Sequence, residues 1–220
     1  MKAFVSWSGG KDSCLAYYKA VKEGYSISFL LNNVSKSYRR SFFHGVRENL
    51  IVKQAESMGI DLIQNKTLIK KYDANFKKTI RKIKKEGVDV GIFGDINFPS
   101  SKKWVYKVCR QTKIKPVILL WDTSEEEIMD EFVDSGFKAF VVSASKKYFN
   151  KNWLGAEINK NFIRNIKRLN KKNGVSICGE KGEYHTFVYD GPIFKKKLKI
   201  IKGKKVLRRG YWFVDIKNGR

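Results

Sequence analysis

The sequence has few cysteines, few acidic residues and no long apolar run. Its three cysteines, Cys14, Cys109 and Cys178, are far apart among 220 residues. This spacing excludes a CxxC redox pair and a cysteine zinc cluster, and it favours a reducing, cytoplasmic environment. No apolar stretch approaches the roughly 20 residues of a membrane-spanning helix. Because the chain starts directly on strand-like residues, we also expect no signal peptide.

The shortage of acidic residues leaves a strong positive charge. There are 21 Asp and Glu against 46 Lys and Arg, a formal net charge of +25. Such a charge favours an anionic partner, either RNA or an acidic protein surface. The alternative is a lysine-rich composition without a dedicated partner, since the basic residues are 36 Lys and only 10 Arg. Hydrophobic content of 42% indicates a globular chain.

One six-residue motif, SGGKDS, lies between a predicted strand at 2–7 and a predicted helix ending at Lys22. Glycines let backbone N–H groups approach phosphate oxygens, and a helix N-terminus adds partial positive charge. The serines add hydroxyl donors, the lysine adds a cation, and an aspartate can hold magnesium. The alternative is a serine-glycine turn that only caps a helix. We predict an ATP-phosphate site formed by Ser8, Gly9, Gly10, Lys11, Asp12 and Ser13, with Asp12 as the Mg²⁺ ligand.

The pattern of elements predicts an α/β fold in two packed parts. Residues 1–135 alternate strands and helices, with one strand at Val117–Leu120, which is typical of a parallel sheet covered on both faces. Ligands bind such sheets at the carboxyl ends of the strands, where Asn32-Asn33 and Gly94-Asp95 should join residues 8–13. We predict a Rossmann-like ATP-binding domain over 1–135. A smaller α+β domain follows over 136–220, with separate strands at Leu198–Ile201 and Val206–Arg209.

A second motif, GEKGEYHT at 179–186, is dense in glycine and polar groups. Two carboxylates, a phenol and an imidazole beside flexible glycines can build a site around a cation or an amine. The alternative is a polar hairpin that leads into a strand.

With both motifs, the chain resembles the diphthine–ammonia ligase family of PP-loop ATP pyrophosphatases. The sequences of its motifs are closest to those of the bacterial members. The resemblance covers nearly the whole chain. Besides the two motifs it rests on Phe43-His44, Gln54-Ala55, Gly94-Asp95-Ile96, Leu120-Trp121, Trp153-Leu154-Gly155 and the continuation of the second motif to Phe194. It implies a PP-loop, adenine nucleotide α-hydrolase-like fold. It also implies ATP-dependent amidation of the diphthine carboxylate of elongation factor 2 by ammonia, with AMP and pyrophosphate as products.

The resemblance also implies residue roles. The PP-loop binds ATP beside Gly94 and Asp95, with Lys11 and Asp12 in catalysis. Glu183 or His185 is the base that takes the ammonium proton. The acceptor side, for elongation factor diphthine or an unknown small carboxylate, comprises His44, Glu180, Tyr184 and Thr186. For His44, a surface loop without a role is the alternative.

Two other functions stay open. A PP-loop enzyme that adenylylates a tRNA base would use the positive charge, but the chain has no paired-cysteine cluster and no recognisable RNA-binding module, so nucleic acid is not favoured. A non-catalytic ATP-binding protein would not need both Lys11 and Asp12 together with the acidic second motif.

Overall fold

The chain builds two β-sheets that share a hydrophobic core. The computed structural model describes residues 1–42 and 44–219, so Phe43 of the family resemblance lies outside the described residues. The first sheet has the strand order β3-β2-β1-β5-β6, and β4 also pairs with β2. Its strands are β1 (Lys2–Ser6), β2 (Ser26–Ser35), β3 (Arg40–Ser41), β4 (Asp61–Thr67), β5 (Val90–Ile92) and β6 (Lys115–Val117). All pairings in this sheet are parallel except that of β3 with β2.

Helices cover both faces of the first sheet, as the alternation predicted. Successive residues of a strand point to opposite faces. Accordingly, Ala3 and Val5 of β1 pack into one apolar cluster, and Phe4 packs into a second one together with Phe76 and Val105. The helices are α1 (Lys11–Lys22), α2 (Glu48–Met58), α3 (Tyr72–Lys85), α4 (Pro99–Thr112), α5 (Glu125–Asp134) and α6 (Lys160–Asn173). The predicted α/β, parallel-sheet class is confirmed.

The second sheet is antiparallel and comes entirely from the C-terminal part. Its order is β8-β7-β10-β9. The strands are β7 (Lys138–Ser145), β8 (Tyr184–Asp190), β9 (Ile200–Arg208) and β10 (Tyr211–Asn218). One apolar cluster contains residues of both sheets, among them Val5 and Phe187. The two parts are therefore packed together, while a domain boundary at 135/136 stays a prediction.

Two strand predictions were wrong. The predicted strand at Val117–Leu120 is β6 at Lys115–Val117, where Pro116 is tolerated because β6 is the edge strand beside β5. The two predicted runs at 198–201 and 206–209 are one continuous strand, β9. Its lysines occupy the outer edge of the sheet, where charged side chains remain in solvent, so they do not mark a turn.

None of the helices within 1–42 and 44–219 has the length and apolar character needed to cross a bilayer.

Candidate active site

The PP-loop is closed by its own hydroxyl groups and tied to the second sheet. The Gly10 N–H donates to Ser8 Oγ at 3.2 Å, and Ser13 Oγ donates to the Gly10 carbonyl at 3.0 Å. The Lys11 N–H donates to Thr186 Oγ1 of β8 at 3.0 Å. The first N–H groups of a helix have no partner inside it. These contacts satisfy two such groups and fix the direction of the α1 N-terminus.

Three glycines of the site occupy positions without room for a side chain. Gly9 has φ +80°, a left-handed conformation that favours glycine. A Cβ on Gly10 would collide with the His44 ring, and one on Gly94 would lie 2.8 Å from the Asp12 carbonyl carbon. The chain after β5 therefore lies directly against the main chain of α1, which brings the two predicted ATP-binding segments together.

Gln54 of α2 holds the loop from behind. Its side chain is fully buried, and Nε2 donates to the carbonyls of Gly9 at 3.0 Å and Val188 at 2.7 Å. Its Oε1 accepts from Trp7 Nε1 at 3.2 Å. The Val188 N–H also donates to the Gly9 carbonyl. One amide thus joins Trp7, the residue after β1, to the loop and to β8.

Lys11 is a buried cation beside a carboxylate. Only 2% of the residue is exposed, and Nζ donates to Asp12 Oδ1 and to the Cys178 carbonyl, both at 2.6 Å. Burial lowers the pKa of a lysine, but the Asp12 charge and hydrogen bond outweigh it, so the pKa of Lys11 is raised. The ammonium therefore stays charged directly behind Asp12.

A cavity of about 930 Å³ opens where the loop, the strand ends of the first sheet and the second sheet meet. This volume lies within the range of roughly 300–1,000 Å³ that is common for small-molecule sites. Part of its wall is aromatic, and Asn33 Nδ2 donates to the Tyr72 hydroxyl there at 3.0 Å. The Phe, Tyr and Trp residues of the wall are Trp7, Phe42, Tyr72, Phe93, Phe98, Trp104, Tyr211 and Phe213.

Three carboxylates line the same cavity: Asp12, Asp95 and Glu180. Burial, and then the charge of Asp12, raises the pKa of Glu180 to about 8. Burial is also the main cause that raises the pKa of Asp95, to which Asp12 adds. Over the described ranges, no group of three or more His, Cys, Asp and Glu side chains is arranged to hold a metal ion by itself. A pKa of about 8 leaves Glu180 mainly protonated at neutral pH.

The only two histidines of the sequence meet on the cavity wall. The ring centroids of His44 and His185 are 4.7 Å apart, and both residues line the cavity. His44 Nδ1 lies 3.0 Å from the Thr186 carbonyl. Burial lowers the pKa of His44 and, with the neighbouring positive groups, lowers the pKa of His185 further. The structure therefore places two neutral imidazoles opposite the carboxylates, and His44 is not an isolated surface-loop residue.

Two family models together match most of the chain. The model described as "Diphthamide synthase N-terminal domain" matches residues 1–116, and "Diphthamide synthase C-terminal domain" matches residues 124–220. The chain belongs to the diphthamide synthase family. The resemblance inferred from the two motifs is confirmed, and the protein is an ATP-dependent ligase of the PP-loop type.

Curated relatives agree with this assignment. The protein named Diphthine--ammonia ligase of Mus musculus is 27% identical over 95% of this chain and 86% of its own length. The Bos taurus protein of the same name is 28% identical over 87% of this chain and 79% of its own length. A solved structure, described as a 4-thiouridine synthetase–RNA complex with bound ATP, has 14% identity and a TM-score of 0.44, covering 85% of this chain and 55% of that one.

Six predicted site residues of this diphthamide synthase family member do not line the cavity: Gly9, Gly10, Lys11, Glu183, Tyr184 and Thr186. Glu183 is buried, and its carboxylate oxygens accept from the N–H groups of Ser176 at 3.1 Å and Lys181 at 2.9 Å. The Tyr184 hydroxyl donates to the Ile177 carbonyl at 2.6 Å. Both side chains thus hold the shape of the second motif. Their roles in the reaction stay predictions.

Sequence reasoning missed several residues of the cavity. Tyr72 and Trp104 belong to the helices α3 and α4, for which the sequence indicated no site residue. Tyr211 and Phe213 alternate along β10, a period of two that places them on one face of the sheet. This alternation was the available signal, but only the packing of the two sheets shows that the face closes a cavity.

We predict that Glu180→Gln stabilises the folded protein at pH 8. The pKa of Glu180 rises from 4.5 unfolded to about 8 folded. The folded state therefore binds more protons, and the wild type loses stability as pH rises from about 4.5 to 8. A glutamine does not titrate, so it should add about 1–3 kcal/mol to the free energy of unfolding at pH 8 and little at pH 5. Urea unfolding at both pH values measures this.

The control is Glu56→Gln, since Glu56 is 55% exposed in an ion pair with Lys53. It should change stability little at either pH. A Glu180→Gln effect of equal size at pH 5 and pH 8 would contradict the assignment.

Proposed function

We propose that the protein forms an amide from an acceptor carboxylate and ammonia, with ATP converted to AMP and pyrophosphate. The relatives' name, diphthine–ammonia ligase, states that they join diphthine and ammonia. The acceptor is the diphthine of elongation factor 2 or another carboxylate presented in the same way. One observation carries the proposal. Residues of the PP-loop and of the GEKGEYHT segment line the same cavity. The two segments touch where the Lys11 N–H donates to Thr186, although these residues are 175 positions apart in the sequence.

ATP is proposed to lie along the PP-loop, with its phosphates at the N-terminus of α1. The glycines let the main chain approach phosphate oxygens, and the helix end favours negative charge there. The aromatic side chains of the cavity wall offer stacking surfaces for a nucleobase. Asn33, which donates to the Tyr72 hydroxyl and accepts from Asn65, fixes the direction of one of these aromatic side chains.

The carboxylates of the cavity fit a magnesium ion that enters with the nucleotide. Mg²⁺ prefers oxygen ligands and is commonly held by one or two carboxylates together with substrate phosphates. Asp12 would be the first of these, and Asp95 the second. When bound, the ion would neutralise phosphate charge and relieve the repulsion between the carboxylates.

The proposed reaction has two steps. In the first, an oxygen of the acceptor carboxylate bonds to the α-phosphorus, and the bond from that phosphorus to the bridging oxygen of pyrophosphate breaks. Lys11 provides positive charge for the departing group, as preorganised electrostatic stabilisation requires. In the second step ammonia bonds to the acyl carbon, and AMP leaves with the electron pair of the C–O bond.

The second step needs a proton acceptor and protection from water. Ammonium must lose a proton before its nitrogen can attack, and water would hydrolyse the acyl-adenylate. We assign the proton transfer to the imidazole pair, because His44 and His185 are neutral and line the cavity. Glu183 fits this role less well, since both of its oxygens already accept backbone hydrogen bonds.

The test uses ATP labelled at the α-phosphate, with magnesium, ammonium and a diphthine-bearing elongation factor. We expect labelled AMP that requires both ammonium and the acceptor protein, and a mass change on the acceptor that matches conversion of a carboxylate to an amide. Replacing the acceptor with unmodified elongation factor is the control. ADP and phosphate as products would contradict the proposal. AMP formation that depends on tRNA would favour the tRNA-modifying alternative.

A further inference from the structure

Asp215 on β10 binds two arginines of the segment that connects β2 with α2. Its Oδ1 accepts from Arg40 Nη2 and from Arg47 Nε, each at 3.0 Å, and its Oδ2 accepts from Arg47 Nη2 at 2.6 Å. The Arg47 contact is bidentate, a geometry that fixes direction as well as distance. The hydrogen bond of Arg47, with that of Arg40, lowers the pKa of Asp215 to about 2. The carboxylate is therefore ionised throughout the neutral range.

We call the ion pairs of Asp215 with Arg40 and Arg47 the clamp. The clamp is better suited to orienting the loop that carries the arginines than to stabilising the fold. The side chains of the two arginines are 35% and 41% exposed, and that of Asp215 is 30% exposed. Ion pairs so open to solvent contribute little to the free energy of folding. What the clamp does is to attach a loop of the first sheet to a strand of the second.

The clamped loop carries His44. Arg40 Nη1 donates to the Gly45 carbonyl at 2.7 Å and so closes the turn immediately after the histidine. Gly45 also lies against the Phe213 ring, because a Cβ there would approach the ring to 3.2 Å. Phe213 and Asp215 are two residues apart on β10 and share one face of the strand. Both contacts therefore hold the His44 turn from the same side.

His44 is held in one tautomer. A carbonyl oxygen only accepts, so Nδ1 of the neutral ring must carry the proton that it donates to Thr186. The lone pair is then on Nε2, for which the described part of the chain provides no hydrogen-bond partner. The ionisable groups that face the ring are His185 of β8 and Lys11 and Asp12 of α1. The fixed Nδ1–H bond leaves Nε2 as the proton acceptor.

We propose that Asp215 is a positioning residue which, through Arg40 and Arg47, keeps His44 oriented to accept a proton from ammonium at Nε2. This rests on the proposed amide ligase function. One ammonium proton passes to Nε2, the ammonia nitrogen bonds to the acyl carbon, and the C–O bond to AMP breaks. A second proton leaves the nitrogen to solvent, which completes the neutral amide. Asp215 touches no reacting atom.

The test compares Asp215→Asn with wild type in the complete ammonium- and acceptor-dependent reaction. Outer partners that orient metal-ligating side chains contribute about 10–100-fold, and we use this as the scale for a partner that orients a reacting imidazole. We expect kcat to fall by about that factor while the KM for ATP stays within about twofold of wild type.

A double mutant separates positioning from general damage. His44→Gln should lower kcat strongly, and adding Asp215→Asn to it should lower kcat little further, because both changes remove the same function. Asp134→Asn is the matched control, since Asp134 is 63% exposed in an ion pair with Lys160, and it should leave kcat unchanged. A wild-type kcat in Asp215→Asn, or a full additional loss in the double mutant, would overturn the proposal. Wild type that makes no ammonium-dependent AMP would instead overturn the proposed function.

Discussion

Lys11→Met is expected to lower kcat for AMP formation by about 10²–10³-fold, the cost of removing one preorganised charge donor from a reacting phosphoryl or acyl group. The buried ammonium lies 2.6 Å from Asp12 Oδ1, and Asp12 lines the cavity. Methionine retains the length of the side chain but supplies no charge. The measurement is release of labelled AMP under saturating ATP, ammonium and acceptor.

The matched control for Lys11 is Lys22→Met in the last turn of the same helix. Lys22 is exposed, and its Nζ lies 4.6 Å from the Tyr18 ring centroid. This variant should turn over like wild type. Equal thermal midpoints for the two variants would exclude unfolding as the cause. Normal turnover by folded Lys11→Met would show that the charge behind Asp12 takes no part in the chemistry.

Gln54→Leu is expected to reduce the free energy of unfolding by about 2–4 kcal/mol and to weaken ATP binding. The substitution keeps the approximate volume but removes three buried hydrogen bonds. It leaves the Val188 carbonyl and the Trp7 indole N–H buried without this partner, and each such group costs about 1–3 kcal/mol. The Gly9 carbonyl keeps its hydrogen bond from the Val188 N–H. The loop should therefore become more mobile but keep its place beside β8. Urea unfolding and ATP titration measure the two effects.

Gln64→Leu is the control for this loss. Gln64 Nε2 makes one hydrogen bond, to the Glu48 carbonyl at 2.9 Å, on a residue that is only half-buried. Gln64→Leu should reduce the free energy of unfolding by well under half as much as Gln54→Leu does, and it should leave ATP affinity unchanged. Equal costs at the two positions would mean that Gln54 is not the link between the loop and β8.

The positions that sequence reasoning found are those whose chemistry is local. SGGKDS was recognisable because a strand, two glycines and a helix start are adjacent in the chain, and the structure keeps them adjacent. Gly94 and Asp95 were located by the rule that strand ends gather at one edge of a parallel sheet. For His44 the sequence left two readings open, since a single histidine in a loop has no pattern that reveals its neighbours. The role of Asp215 could not be predicted from the sequence, because its arginine partners are about 170 residues away in the chain.

The sequence by itself determined the fold class, the family and the position of the SGGKDS loop between a strand and a helix, because periodicity, glycine placement and motif spacing are properties of neighbouring residues. Only the tertiary structure decided what surrounds that loop. Gln54 reaches Gly9, Thr186 caps Lys11, and Asp215 clamps the turn of His44 through contacts between distant segments. The directions of these side chains depend on how the antiparallel sheet packs against the parallel one. That packing is set by the whole shared core, which no single stretch of sequence encodes.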